Sequence, residues 1–359
     1  MKKILILTAG FGEGHNSAAR GVRDGLARVA PEAQVELRDL FPETFGAFNE
    51  IVRRTYLGLV NRWPRSWGYV YNWLDRKQDF DERFRRFRRL KKNFGRLLNR
   101  FQPDTVVSTF PAYPYLLSQI AGNDRRYTNI AIVTDSITVN AIWYRAPADY
   151  FFVANEQSAA VVRNGGVSPK KIKVFGFPVS PRFADFAKDR QSPSENIPRV
   201  LYVINAGTNR AADLVRRLLE LNVQLTVTVG RDEKLRRTIE TAAANHKIDI
   251  IGWTEEMPRL LCESHVLIGK AGGATVQETI AAGCPMIINH VVSGQEEGNA
   301  QLIVETNSGA IALSNDEVIA QVHRVFADGA KQWREWSANI NKLSQPRASL
   351  DIAEFLLSI

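Results

Sequence analysis

The sequence predicts an α/β protein of two doubly wound domains, and three observations carry that prediction. Short apolar runs alternate with helical stretches along the chain, the pattern of parallel α/β units. At 359 residues the chain exceeds one comfortable core and suits two domains of about 150–180 residues each. Between Pro178 and Pro198, prolines, serines and charges replace the periodic pattern, which places the break there.

In the first half, strands are expected at Ile4–Leu7, Val35–Leu37, Thr105–Ser108, Asn129–Val133, Tyr150–Val153 and Lys173–Phe175. The opening MKKILILTAG has two lysines before an apolar run too short for a signal segment, and it continues into a glycine turn. It therefore reads as a buried first strand. In the second half, strands are expected at Arg199–Val203, Leu225–Val229, Asp249–Ile251, His265–Ile268 and Met286–Asn289, with a weaker one at Gly309–Leu313. Residues 345–359 read as a terminal helix, and no internal repeat of fixed short period occurs.

Composition narrows the function classes. A hydrophobic share of 45% with 24% charged residues marks a folded globular chain. Two cysteines without CxxC spacing and five scattered histidines argue against a disulfide scaffold or a zinc site, and fit a reducing cytosol. No stretch approaches the roughly 20 apolar residues of a spanning helix, so membrane contact is expected to be peripheral. The net charge of +9 fits a soluble protein with many arginines, or, more specifically, one that meets a nucleic acid or an anionic membrane surface.

The chain is organised around residues 268–300, IGKAGGATVQETIAAGCPMIINHVVSGQEEGNA. An apolar run meets the small turn Ala271-Gly272-Gly273-Ala274, and a helix-like segment begins near Thr275. Backbone N–H groups and a helix N-terminus suit a diphosphate there without a lysine clamp. Glu278 lies three residues on, one turn in on the same face, where a carboxylate can accept from the two hydroxyls of a ribose. Ordinary turn and capping chemistry is the competing reading, because many α/β units open this way.

A second glycine-rich loop, Thr8 to Ala19 (TAGFGEGHNSAA), follows the first strand and opens a helix. Gly10, Gly12 and Gly14 permit close backbone approach to a ligand, but their spacing is not the dinucleotide fingerprint. A lone histidine after such a loop is in general a capping or packing residue. Residues 45–101 are the most unusual stretch: Trp63, Trp67 and Trp73 alternate with Tyr56, Tyr69 and Tyr71 before DERFRRFRRLKKNFGRLLNRF. There Phe84, Phe87, Lys91, Phe94, Leu98 and Phe101 fall near one helical face, with Leu90 and Leu97 beside it. Most arginines, among them Arg85, Arg86, Arg88 and Arg89, lie off that face. Such a segment suits an anionic membrane surface; the alternative is a helix packed on the N-terminal sheet with its arginines in solvent. Nothing resembles a helix-turn-helix or an RRM, so nucleic acid is not expected.

Lys270 to Pro285 with Ser293 to Ala300, preceded in the right order by the loop ending in Gly14-His15, resembles the family 28 glycosyltransferases. The likeness is to the branch of processive diacylglycerol glucosyltransferases and monogalactosyldiacylglycerol synthases, and more distantly to the transferase that makes peptidoglycan lipid II. It implies a GT-B fold: two Rossmann-like doubly wound domains facing a cleft, an acceptor domain over 1–180 and a UDP-sugar domain over 195–345. The terminal helix, 346–359, would cross back to the N-terminal domain and couple closure. The implied reaction moves a hexose from a UDP-sugar to a membrane lipid hydroxyl, diacylglycerol foremost, at the cytoplasmic face of a membrane.

The resemblance also implies roles. His15 would be the base toward the acceptor hydroxyl, which an imidazole with an ordinary pKa near 6.5 can be at neutral pH. Asp135, ending a strand in IVTDSITVN, is the candidate carboxylate for its other nitrogen; the competing role is a turn or cap acid. Gly12, Gly14 and Asn140 would line the acceptor side, with Asn140 a departure, because plant-type galactolipid synthases carry a histidine there. Gly207 and Thr208 would lie near the donor phosphates. Gly252 and Trp253 would lie at the uracil, although Trp253 equally suits a core or hinge. Gly272, Gly273, Ala274 and Thr275 would hold the diphosphate, Glu278 the ribose, and Gln295, Glu296 and Asn299 the hexose hydroxyls. Trp63, Trp67, Trp73 and the four arginines would meet the membrane. No DxD-type pair is placed for a metal, and no cofactor is expected beyond the UDP-sugar substrate. Two rivals stay open: a UDP-sugar 2-epimerase of the same architecture, and an inactive nucleotide-sugar-binding protein, toward which Asn140 leans.

Overall fold

The structure, a computed structural model, describes residues 1–46, 80–121, 126–137, 139–187, 193, 197–244, 246–292 and 296–359. Trp63, Trp67, Trp73 and Gln295 lie outside them. The described chain divides into two compact units. One comprises Met1–Pro181 with Arg347–Ile359, the other Arg182–Val292 with Glu296–Pro346.

Each expected strand is present. In the first unit they are β1 (Lys3–Thr8), β2 (Gln34–Asp39), β3 (Thr105–Ser108), β4 (Thr128–Ile132), β5 (Tyr150–Val153) and β6 (Ile172–Val174). They form one parallel sheet in the order β2-β1-β3-β4-β5-β6. Ile4 to Leu7 are fully buried. Helices cover both faces of a parallel sheet, which is why its strands read as unbroken apolar runs. The second unit holds β7 (Arg199–Val203), β8 (Gln224–Gly230), β9 (Asp249–Gly252), β10 (Val266–Lys270), β11 (Met286–His290) and β12 (Gly309–Ile311). Their order is β12-β11-β10-β7-β8-β9, again all parallel. Strand order reverses between β1 and β3 in one sheet and between β7 and β10 in the other. Ligands of open α/β sheets bind at such switch points, beyond the carboxyl ends of the strands.

The terminal helix Ala348–Ser358 packs on Glu13–Val29, the helix after β1. Gly25 permits that approach, because a Cβ there would lie 2.2 Å from the Ser349 carbonyl oxygen. The basic segment forms two helices, Phe80–Arg85 and Arg88–Phe101, separated where Phe87 leaves helical geometry at φ −80° and ψ 52°. The single stripe expected from Phe84 to Phe101 is therefore interrupted. Leu90, Phe94, Leu97 and Leu98 are buried in a core with Leu5, Leu7 and Val106, so the sheet takes this face. Arg85, Arg86, Arg88 and Arg89 are all exposed. Among the described residues no helix is long and apolar enough to cross a membrane.

Candidate active site

In the first unit, His15 stands in the first turn of the helix that follows β1, beside the carboxyl ends of β3 and β4. Its Nδ1 is 2.8 Å from the Thr109 carbonyl oxygen and 2.9 Å from Thr134 Oγ1. A carbonyl can only accept, so Nδ1 carries the proton and Nε2 keeps its lone pair. The ring stands edge-on to Phe110 at 5.2 Å and is tilted against Trp143 at 6.2 Å. Burial pushes the imidazole pKa down to about 4, against a smaller upward pull from Thr109. It is neutral at pH 7. A Cβ at Gly12 would sit 3.6 Å from Cδ2 and 3.9 Å from Nε2, ordinary contact distances, so the glycine loop lies against the lone-pair edge of the ring. At Gly14 an added Cβ meets nothing within 4 Å.

The position expected for Asp135 is thus occupied by a backbone carbonyl and a threonine hydroxyl. The Asp135 carboxylate instead accepts from the Asn140 backbone N–H at 3.2 Å and from the Trp143 side chain. Burial raises its pKa to about 6, partly offset by those two bonds. It holds the loop that carries Trp143 rather than the imidazole. Asn140 caps the short helix Ala141–Tyr144, its side chain accepting from the Ile142 N–H at 2.9 Å. The glycine-rich loop after β1 has its own support: Asp39, ending β2, accepts from Gly10 N–H at 2.8 Å and Phe41 N–H at 3.0 Å.

In the second unit, the turn after β10 leads into the helix Gly273–Ala281, two residues earlier than expected, with Gly272 as its N-cap. No side chain caps this end, which leaves its first N–H groups to solvent or ligand. Asn299 Nδ2 donates to the Ala271 carbonyl at 3.1 Å. Lys270 Nζ lies 2.6 Å from Glu296 Oε1, and Glu296 Oε2 accepts from the Val292 N–H at 2.9 Å. Glu296 is buried with both oxygens engaged, a different posture from the hydroxyl reader expected. Ala274, Thr275 and Glu278 are half-buried on that helix. After β7, Gly207 adopts φ +64° and caps the helix Thr208–Leu219. Arg210 from that helix donates to the Asn289 and Leu313 carbonyls. His290, ending β11, has its pKa lowered by burial, with Lys270 and Arg210 lowering it further and Glu296 opposing. Trp253 follows β9, where Gly252 ends the strand. It is 60% exposed, with the Arg231 guanidinium 5.0 Å from its ring centroid, so it is not a core aromatic.

The structure brings His15 to the first switch point and Gly207, Gly272, Glu296 and Asn299 to the second, with Thr109 and Thr134 beside the histidine and Lys270 beside the glutamate. Lys270 stood inside the quoted motif; the Thr109 contact is made by its backbone, which leaves no trace in residue type. Among the described residues no group of three or more His, Cys, Asp or Glu is arranged to hold a metal.

Two Rossmann-like units, each with a glycine turn at its switch point, make the GT-B fold. The monogalactosyldiacylglycerol synthase family model matches residues 15–179, and the glycosyltransferase family 28 C-terminal domain matches residues 205–349. The chain belongs to family 28 of the glycosyltransferases, on the monogalactosyldiacylglycerol synthase branch. It is 24% identical to a processive diacylglycerol beta-glucosyltransferase of Bacillus subtilis over 99% of this chain and 95% of that one. It is 25% identical to a probable chloroplastic monogalactosyldiacylglycerol synthase 2 of Oryza sativa subsp. indica, over 98% of this chain and 80% of that one. Among solved structures, MurG of Acinetobacter baumannii superposes at TM-score 0.63 with 15% identity, covering 100% of both chains. A UDP-GlcNAc 2-epimerase of Neisseria meningitidis gives TM-score 0.61, 15% identity and 100% coverage of both, a likeness of fold.

Proposed function

We propose that this glycosyltransferase moves a hexose from a UDP-sugar to the hydroxyl of diacylglycerol in a membrane. The observation that carries the reading is the neutral His15, its Nδ1–H bonded to Thr109 and its Nε2 edge beside Gly12 of the glycine loop, within the segment that matches the synthase model. The acceptor oxygen attacks the anomeric carbon, its proton passes to Nε2, and the bond from that carbon to the UDP oxygen breaks with its electrons going to the diphosphate. The N-terminus of the helix Gly273–Ala281 receives that charge on Gly272, Gly273, Ala274 and Thr275. Glu278 is assigned to the ribose, Gly207 and Thr208 to the phosphates, and Trp253 with Gly252 to the base. Gln295 and Asn299 are assigned to the hexose. The reading needs no divalent metal. The four exposed arginines support a peripheral position on an anionic cytoplasmic leaflet.

The test is turnover with UDP-glucose, UDP-galactose and UDP-N-acetylglucosamine in turn, on anionic vesicles with and without diacylglycerol, beside His15→Ala. Diacylglycerol-dependent UDP release with one donor, abolished in the variant and unchanged by EDTA, is expected. UDP release that ignores diacylglycerol, or isomerised donor without release, would overturn it.

A further inference from the structure

We propose that Lys270 is a diphosphate-binding residue and that Glu296 is the positioning residue that aims it, not a reader of the sugar. This rests on the UDP-sugar assignment above. Lys270 is the last residue of β10, one position before the turn Ala271–Gly272. Its side chain lies back over that turn: a Cβ at Gly272 would meet Lys270 Cε at 3.5 Å, Glu296 Oε1 at 3.7 Å and Thr275 Oγ1 at 3.7 Å. The ammonium therefore stands at the mouth of the same helix N-terminus whose N–H groups have no side-chain cap.

The carboxylate opposite it is fixed from both sides. Oε1 takes the ammonium at 2.6 Å, and Oε2 takes the Val292 N–H at 2.9 Å. With the Glu296 side chain 8% exposed and that of Lys270 25% exposed, the carboxylate is the buried member and the ammonium the accessible one. An ammonium has three donors, and Glu296 occupies one. The other two can serve a ligand, from a partly exposed side chain whose flexible stem is held in one place, which lowers the entropic cost of using it. Each Glu296 oxygen already has a partner, the ammonium on one side and the Val292 N–H on the other, which suits a carboxylate that holds Lys270 in place. Asn299, tied to the Ala271 carbonyl, holds the turn against the same first turn of the helix Glu297–Glu305.

The two roles separate in binding experiments that need no acceptor. Calorimetry on the full chain would compare UDP, uridine, UDP-glucose and UDP-galactose for wild type, Lys270→Met, Lys270→Gln and Glu296→Gln. Removing a charge-assisted contact to phosphate is expected to weaken UDP by at least tenfold in both lysine variants, with uridine affinity within twofold of wild type. Unchanged uridine binding also shows that the variant is folded. Glu296→Gln is expected to change UDP and both UDP-hexoses by one common factor, leaving their ratios within twofold of wild type. UDP affinity that survives both lysine substitutions, or a Glu296→Gln change confined to one hexose, would overturn the assignment. Wild-type protein that binds uridine but gains nothing from the diphosphate would overturn it while leaving a nucleoside site. Failure of wild type to bind any of the four would instead sink the UDP-sugar reading on which it rests.

Discussion

Lowering pH perturbs the proposed base directly, and the structure fixes how large the effect should be. An imidazole with an ordinary pKa near 6.5 keeps only about 3% of its neutral form at pH 5, a loss of about 30-fold in base-competent enzyme. His15, pushed down to about 4 by burial, stays about 90% neutral there. The acid limb of kcat/KM, which reports the free enzyme, should therefore lie near pH 4 where His15 alone sets it. The Asp135 carboxyl is raised to about 6 and would add a limb there if its charge is needed to hold the Trp143 loop. Asp135→Asn distinguishes the two, since a limb near 6 that belongs to this carboxyl disappears in the variant while one near 4 remains. UDP release would be measured from pH 3 to 8 at donor concentrations well below KM, on vesicles of constant composition. A limb near 6.5 that persists in Asp135→Asn would refute the assignment of a buried, neutral, carbonyl-bonded His15 as the base.

Gly25→Ala places a methyl 2.2 Å from the Ser349 carbonyl and should cost about 1–3 kcal/mol in urea denaturation by displacing the terminal helix. Gly14→Ala meets nothing within 4 Å and should gain up to about 1 kcal/mol from helix propensity, so lost turnover in that variant would mark ligand approach there. Replacing Arg85, Arg86, Arg88 and Arg89 together by Ala should weaken sedimentation with anionic vesicles about a thousandfold, at about 1 kcal/mol per arginine, and leave neutral vesicles unaffected. Trp253→Ala should leave the denaturation midpoint unchanged, because the side chain is exposed, while weakening UDP and uridine alike by about 1–3 kcal/mol if the ring stacks on the base.

The sheets were legible because parallel strands covered on both faces must be apolar throughout. The edge strand β12, read more weakly at Gly309–Leu313, has only Gly309 buried among its three residues. The glycine turns were legible for a related reason: at a strand-to-helix turn, small residues and the sheet's switch point coincide. The hidden parts are those where residue type does not encode the partner. An acid at the end of a strand looks like a histidine partner, yet Asp135 spends its oxygens on Asn140 and Trp143, while an untraceable backbone carbonyl takes the imidazole. An apolar stripe in a basic helix looks like a membrane face, yet Leu90, Phe94, Leu97 and Leu98 are needed to cover β1 and β3. Periodicity reports that a face is apolar; it does not report what covers it.

Charge explains why the two switch points differ. A diacylglycerol hydroxyl is neutral, and the base that meets it works best if it carries no charge beforehand. The first site meets this by burial, which lowers the imidazole pKa, while the Thr109 carbonyl on Nδ1–H raises it by less than a carboxylate there would. A departing UDP gains negative charge, and the second site is cationic to match: an uncapped helix N-terminus with the Lys270 ammonium over it, and Arg210 nearby. Glu296 runs against that sign. A carboxylate beside a diphosphate is tolerable only if its charge is already neutralised, as the 2.6 Å contact to Lys270 provides. Exchanging the pair, Lys270→Glu with Glu296→Lys, keeps the net charge but leaves a carboxylate at the mouth of the turn. If the ammonium's position rather than net charge governs donor binding, the exchanged protein should bind UDP no better than Lys270→Met, and recovery to wild-type affinity would refute that.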